Sequence, residues 1–241
     1  DVPREAIFFI YYDMLIGSDD QTVAEELRGR WSGKSDSGLA GVEAYQVTMS
    51  RCTDAAGGLE PELRWYIDPF GYARAARSLS TGDRPRGKDY LKILKTQGFD
   101  AILGLGGFLN MSVGGVYEIL HRTSVYAPPI EGEKEKYRLA MRMLELPNSE
   151  EMQPQPWMPR KLASYRTFNV DLLRAFDNFD SLFDAIAGYD DAFAGVIEGL
   201  EVDPYGPQVQ VRKDFVSHLG QRLTLVTFYE VTITTESERF L

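Results

Sequence analysis

The sequence predicts an α+β fold, an antiparallel or mixed sheet with helices packed on it. Three observations point there. Segments with apolar residues at helical spacing alternate with β-type runs, but without the regular strand–helix–strand order of a doubly wound sheet. Two long β-type runs, 101–113 and 116–126, meet at Gly114-Gly115 and predict a long central hairpin. The chain has 241 residues, 44% hydrophobic and 26% charged, the composition of a chain able to bury its own core.

In chain order, residues 6–12 and 14–16 are β-rich and flank Asp13, which predicts a hairpin or a kinked strand. Ser18-Asp19-Asp20-Gln21 has the form of a capping box, with Ser18 as the cap. The helix after it would turn Val23, Leu27 and Trp31 inward; a second carries Val42, Tyr45, Met49 and Cys52 on one stripe. Leu63, Trp65 and Ile67 alternate with Glu62, Arg64 and Tyr66 at strand period. Pro69 and Gly71 lead into a short arginine-bearing helix, then a loop over 80–87, then a helix over 88–97 stopped by Gly98.

Gly114-Gly115 is the chemistry of a two-residue primed turn, since both central residues need positive φ. Beyond Pro128-Pro129 the spacing predicts a helix over 133–146, a strand over 162–169, one amphipathic helix over 172–186, a helix over 190–200, a helical turn at 215–219 and a strand over 223–229. The long helix would turn Phe176, Phe179 and Phe183 inward. Pro147, Pro154, Pro156 and Pro159 make 147–159 the one candidate linker. The expectation is one domain over 1–241 with two lobes, 1–146 and 160–241. Both ends of the sequence read as cuts from a longer chain.

The net charge of −10 disfavours nucleic acid and anionic membrane surfaces. No apolar run approaches the ~18–20 residues that span a bilayer. A single cysteine, Cys52, excludes an intrachain disulfide, and its place on an apolar stripe makes it core. The charge is uneven. Residues 74–95 carry Arg74, Arg77, Arg84, Arg86, Lys88, Lys92 and Lys95 against Asp83 and Asp89, whereas 171–203 is strongly acidic.

The motifs that could carry chemistry fail on their details. Gly82–Lys88 fits a phosphate-binding pattern, but Asp89 stands where a hydroxyl is needed and Pro85 removes an N–H. Gly104-Leu105-Gly106-Gly107 lacks the third glycine and the following helix of a dinucleotide site, so its glycines indicate a bulge or close packing. His121 and His218 sit in no metal-ligand pattern, and no nucleophile elbow is present. Asp177-Asn178-Phe179-Asp180 lacks the glycine and the final glutamate of a calcium loop. These residues point to no catalytic, metal or cofactor site.

Residues 5–13, 67–72, 97–102 and 121–128 (Glu5-Ala6-Ile7-Phe8-Phe9-Ile10-Tyr11-Tyr12-Asp13, Ile67-Asp68-Pro69-Phe70-Gly71-Tyr72, Gln97-Gly98-Phe99-Asp100-Ala101-Ile102, His121-Arg122-Thr123-Ser124-Val125-Tyr126-Ala127-Pro128) together resemble a group of large uncharacterised proteins of planctomycete bacteria, usually predicted to be exported. The stretch 212–220 before a strand is similar to a recurring element of a broader bacterial family of unknown function. The resemblance implies a periplasmic or secreted address and a longer parent chain, and supplies no activity.

The functional expectation is a non-enzymatic structural or interaction module of a larger exported protein, its partner another domain of the parent chain or a separate protein. The alternatives are a module that docks an anionic ligand or acidic partner through Arg74, Arg77, Arg84, Arg86 and Lys88, and a hydrolase whose site only the fold assembles.

Overall fold

The computed structural model describes residues 6–31, 38–79, 88–147 and 152–228, and all the strand pairings within them are antiparallel. The α+β architecture stands. The chain forms two compact units, one of Asp1–Ile67 with Gly104–Tyr126, the other of Asp68–Leu103 with Ala127–Leu241. The proline-rich stretch 147–159 lies within the second unit, and the chain passes between units at 67/68, 103/104 and 126/127.

In the first unit, β1 (Ile7–Tyr11) and β2 (Met14–Ser18) form a hairpin whose turn holds Tyr12 at φ 54. The helix α1 (Gln21–Trp31) is capped by Asp20, whose Oδ1 accepts from the Val23 N–H at 3.1 Å; Ser18 instead bonds the backbone of Asp20. The inward face of α1 is also rotated from the expected stripe. Ala24 is buried, Val23 and Leu27 are exposed, and Trp31 stacks on Tyr11 with ring centroids 4.2 Å apart.

The helix α2 (Glu43–Ala56) packs on a three-stranded sheet ordered β3 (Leu63–Ile67), β4 (Gly104–Val113), β5 (Tyr117–Tyr126). Met49, Cys52 and Phe108 are its buried centre, with Tyr45 and Tyr66 packed alongside. β4 is the middle strand and β5 an edge. Gly114 and Gly115 have φ 57 and 70, as a primed turn requires. The turn is nevertheless one residue longer than the glycines indicate, because Val113 pairs with Tyr117 and leaves Val116 in the loop.

The glycines of β4 are close-packing positions. A Cβ on Gly106 would lie within 3.0 Å of Thr48 and Met49 on α2, and one on Gly107 would lie 2.4 Å from Nε1 of Trp65 on the opposite face. The sheet is thus thinned on both faces, by a helix on one and an indole on the other.

The second unit holds α3 (Pro69–Leu79), α4 (Tyr90–Thr96), a 3₁₀ segment at Leu139–Leu144, β6 (Ser164–Asn169), α5 (Leu172–Asp177), α6 (Asp180–Ala187), α7 (Ala192–Val202) and β7 (Arg222–Thr227), with β6 and β7 paired. Two expected helices are altered. Residues 133–138 are not helical, and Leu139 sits at φ 46, a left-handed conformation from which a right-handed helix cannot extend backwards. The expected helix over 172–186 is two, α5 and α6. Asn178 bonds the Arg174 carbonyl with its side chain, competing with the backbone where the helix breaks. The aromatic stripe survives the break: Phe176, Phe179 and Phe183 pack against Phe193 of α7, with centroid distances of 5.4 to 5.6 Å.

Candidate functional site

Of the candidate cations of the basic stretch, the three that are described, Arg74, Arg77 and Lys88, all have partners within the fold. Arg74 and Arg77 lie one turn apart on α3. The guanidinium of Arg74 is 4.0 Å from Asp68, and that of Arg77 donates to Asp89 Oδ1 at 2.9 Å. Asp89 also caps α4, accepting from the Lys92 N–H at 3.2 Å. That backbone bond, and then Arg77, hold the Asp89 carboxyl below its ordinary pKa. Lys88 donates to the carbonyls of Ile186 and Ala187, the latter at 2.7 Å, where α6 ends and its carbonyls lack helical partners. Arg84, Arg86 and the Gly82–Gly87 loop lie outside the described residues.

The acidic stretch is similarly engaged. Asp171 caps α5, accepting from the Arg174 N–H at 2.9 Å. Asp184 accepts from the N–H groups of Asp191 and Phe193 at the start of α7. Asp177 takes a bidentate pair from Arg212 at 2.7 and 2.8 Å, and that bond lowers its pKa. Acids near helix starts, with oxygens on orphan N–H groups, are doing the work of caps.

Glu135 and Glu145 both approach one terminal nitrogen of a single guanidinium, that of Arg174. Arg174 lies 2.8 Å from Glu135 and 2.9 Å from Glu145, beside a concavity of about 540 Å³. Both acids are acceptors for the same cation, which is the arrangement of an ion-pair triad. Nothing in the sequence spacing marks it, since Arg174 lies 39 residues from Glu135.

His121 is on β5, and the indole N–H of Trp65 donates to its Nε2 at 3.2 Å; Thr123 Oγ1 lies 3.4 Å from the same nitrogen. Nε2 is therefore an acceptor, because an indole N–H can only donate. His218 ends a 3₁₀ turn. Cys52 is buried, with its thiol pKa raised by desolvation. Among the described residues, no group of three or more His, Cys, Asp or Glu could hold a metal ion, and no helix is long and apolar enough to cross a membrane.

The least expected surface is a face of the three-stranded sheet. The alternation read in the sequence, Leu63, Trp65 and Ile67, marks the face away from α2; it is Tyr66 that packs toward the helix. Register carries that face across β4 and β5: Trp65 opposes Gly107 and Thr123, Ile67 opposes Leu105 and Val125, and Leu63 opposes Leu109 and His121. Further along, Met111 opposes Ile119. Met111 is 51% exposed, Ile119 61% and Val125 47%, while Phe108 on the α2 face is 1% exposed.

No family model matches this chain, and no curated protein or solved structure matches it either. The candidate site is an apolar sheet face centred on the Trp65–His121 pair and bounded by an edge strand.

β5 is ten residues long and contains no proline, lysine or glycine. Natural edge strands are commonly blunted by such residues, by bulges or by brevity. Among the described residues β5 pairs only with β4.

Proposed function

We propose that this chain is a non-enzymatic interaction module of a larger exported bacterial protein, with the uncovered face and β5 edge of its three-stranded sheet as the working surface. The observation that carries the reading is the set Leu63, Met111, Ile119 and Val125, exposed on the side of the sheet opposite α2, with Ile67 and Leu105 half-buried among them. Exposed apolar residues scattered singly need no explanation, but several on one face of a sheet, shared by three strands, mark an interaction surface. The resemblance to exported planctomycete proteins supports the address and the longer parent.

The chemistry of the surface defines its partner. It is a protein that offers a β-strand to the open edge, with its side chains alongside Ile119. On the other face of β5, Glu118 and Arg122 are four residues apart in a strand, so the partner strand needs a guanidinium or ammonium and a carboxylate at matching spacing. Strand addition of this kind draws affinity from main-chain bonds and register from the side chains.

Urea unfolding of Ile119→Thr and Met111→Thr, with Phe108→Ala as the buried control, tests the reading. Threonine keeps a strand-forming side chain while removing apolar surface. A free face predicts losses within about 0.5 kcal/mol for the first two and about 3–5 kcal/mol for the control. Losses of about 2 kcal/mol or more at Ile119 and Met111 would show that the face belongs to the chain's own core and would defeat the proposal.

A further inference from the structure

We propose that the strand received by β5 is β5 of a second copy, paired antiparallel about a two-fold axis at Leu120. This rests on the reading of the sheet edge given above and specifies its partner.

The Leu109 carbonyl accepts from the Glu62 N–H at 3.1 Å, so the odd residues of β4 turn their backbone groups toward β3 and the even ones toward β5. Register pairs Asn110 with Leu120 and Phe108 with Arg122, so the even residues of β5 bond β4. The odd residues, from Tyr117 to Val125, turn N–H and C=O outward. The Val125 carbonyl agrees with this, because it is bonded from outside the sheet by Arg51 of α2 at 2.8 Å.

Arg51 also closes that end of the edge. Among the described residues, the outward groups left open run from Tyr117 to Thr123, and the middle of that run is Leu120. A two-fold axis there pairs Ile119 with His121, and Tyr117 with Thr123, through the outward groups.

Charge selects the same register. With Leu120 opposite its own copy, Glu118 of each strand faces Arg122 of the other, in two symmetry-related pairs at positions whose side chains lie closest. Moving the axis by one residue to Ile119 or His121 places Glu118 opposite Leu120 or Ser124, with no cation across from it. Arg122 donates within the chain from Nε to Ala55 O at 3.1 Å and from one terminal nitrogen to Asn110 Oδ1 at 2.7 Å, so the partner's Glu118 would meet its other terminal nitrogen. A two-fold interface of this type is self-complementary and closes at two copies, which removes the open edge from both.

Cross-linking of the whole chain tests the register. Residues opposite each other at a non-hydrogen-bonded position have Cα atoms about 4.5 Å apart, within the range a disulfide spans. Leu120→Cys should therefore form a covalent dimer under mild oxidation. Thr123→Cys should not, because its copy lies six residues away along the strand, about 20 Å. The native Cys52 is only 2% exposed and does not compete. Sedimentation velocity should show the unmodified protein dimerising as concentration rises, with Glu118→Arg shifting it to monomer at least tenfold. Far-ultraviolet circular dichroism checks that each variant is folded. Equal cross-linking of both cysteine variants, or none by Leu120→Cys, overturns the pairing. A wild-type monomer at every concentration does so too; if Ile119→Thr and Met111→Thr are then neutral for stability, the surface still serves a different partner.

Discussion

Trp65 lies flat against Gly107 on the neighbouring strand, so close that a Cβ on that glycine would sit 2.4 Å from the indole nitrogen and 2.5 Å from the Arg122 carbonyl. The absent side chain lets the indole reach across β4 to His121 on β5, where its N–H finds an acceptor. One glycine therefore sets the relief of the whole face.

Gly107→Ala should lose about 1–3 kcal/mol of stability, because the contact on one side is backbone and cannot yield. Tryptophan emission should shift as the indole leaves His121. Urea unfolding followed by fluorescence measures both. A neutral substitution would mean that Trp65 does not rest on β4.

Lys88→Met should destabilise the second unit by about 0.5–1.5 kcal/mol, since it removes the donor to the Ile186 and Ala187 carbonyls at the end of α6 and a cation that complements the helix dipole. Arg77→Gln should act in the same direction through Asp89. Thermal melts of the two variants check this. Unchanged melting temperatures would leave these cations available for a ligand.

Much of this was legible in the sequence, and the failures have physical reasons. The strand pattern of 63–67 and the glycine turn of β4–β5 were legible because alternation and positive φ are local properties. The cap of α1 was legible to within two residues; Ser18 and Asp20 are both good caps, and only the backbone decides between them. The sequence predicts a helix over 133–146 that does not form as such, because apolar spacing does not register a left-handed residue such as Leu139. The basic stretch was visible as charge, but Lys88 finds its acceptors 98 and 99 residues away, a distance no local pattern reports. The sheet face was present in the alternation of Leu63, Trp65 and Ile67; what the sequence does not reveal is that α2 takes the other side.

Acid should weaken the second unit. Asp89 and Asp177 have pKa values lowered in the fold, the first mainly by the Lys92 N–H and the second by Arg212. A lowered carboxyl contributes stability above its unfolded value, about 3.9, and loses it as pH falls through the folded value. Stability should thus be flat above about pH 5 with respect to these groups and decline below about pH 4. Asp177→Asn should flatten the decline in pH-dependent melts, and an unaltered profile would remove Asp177 from the account.

Cys52 should react with a thiol-specific disulfide reagent only as fast as the first unit opens, because the thiol is 2% exposed and burial raises its pKa. Labelling should accelerate steeply in moderate urea. Rapid labelling in buffer would mean that α2 does not seal the sheet.

Amide hydrogen exchange along β5 tests the central claim most directly, because it reads the edge residue by residue. In dilute protein, the N–H groups of Leu120, Arg122 and Ser124, bonded to β4, should exchange slowly, while those of Ile119, His121 and Thr123 exchange quickly. Raising the concentration, or adding a partner that binds, should slow the second set and leave the first unchanged. Equal protection of both sets in dilute protein would show that the chain covers this edge itself, and would contradict the account.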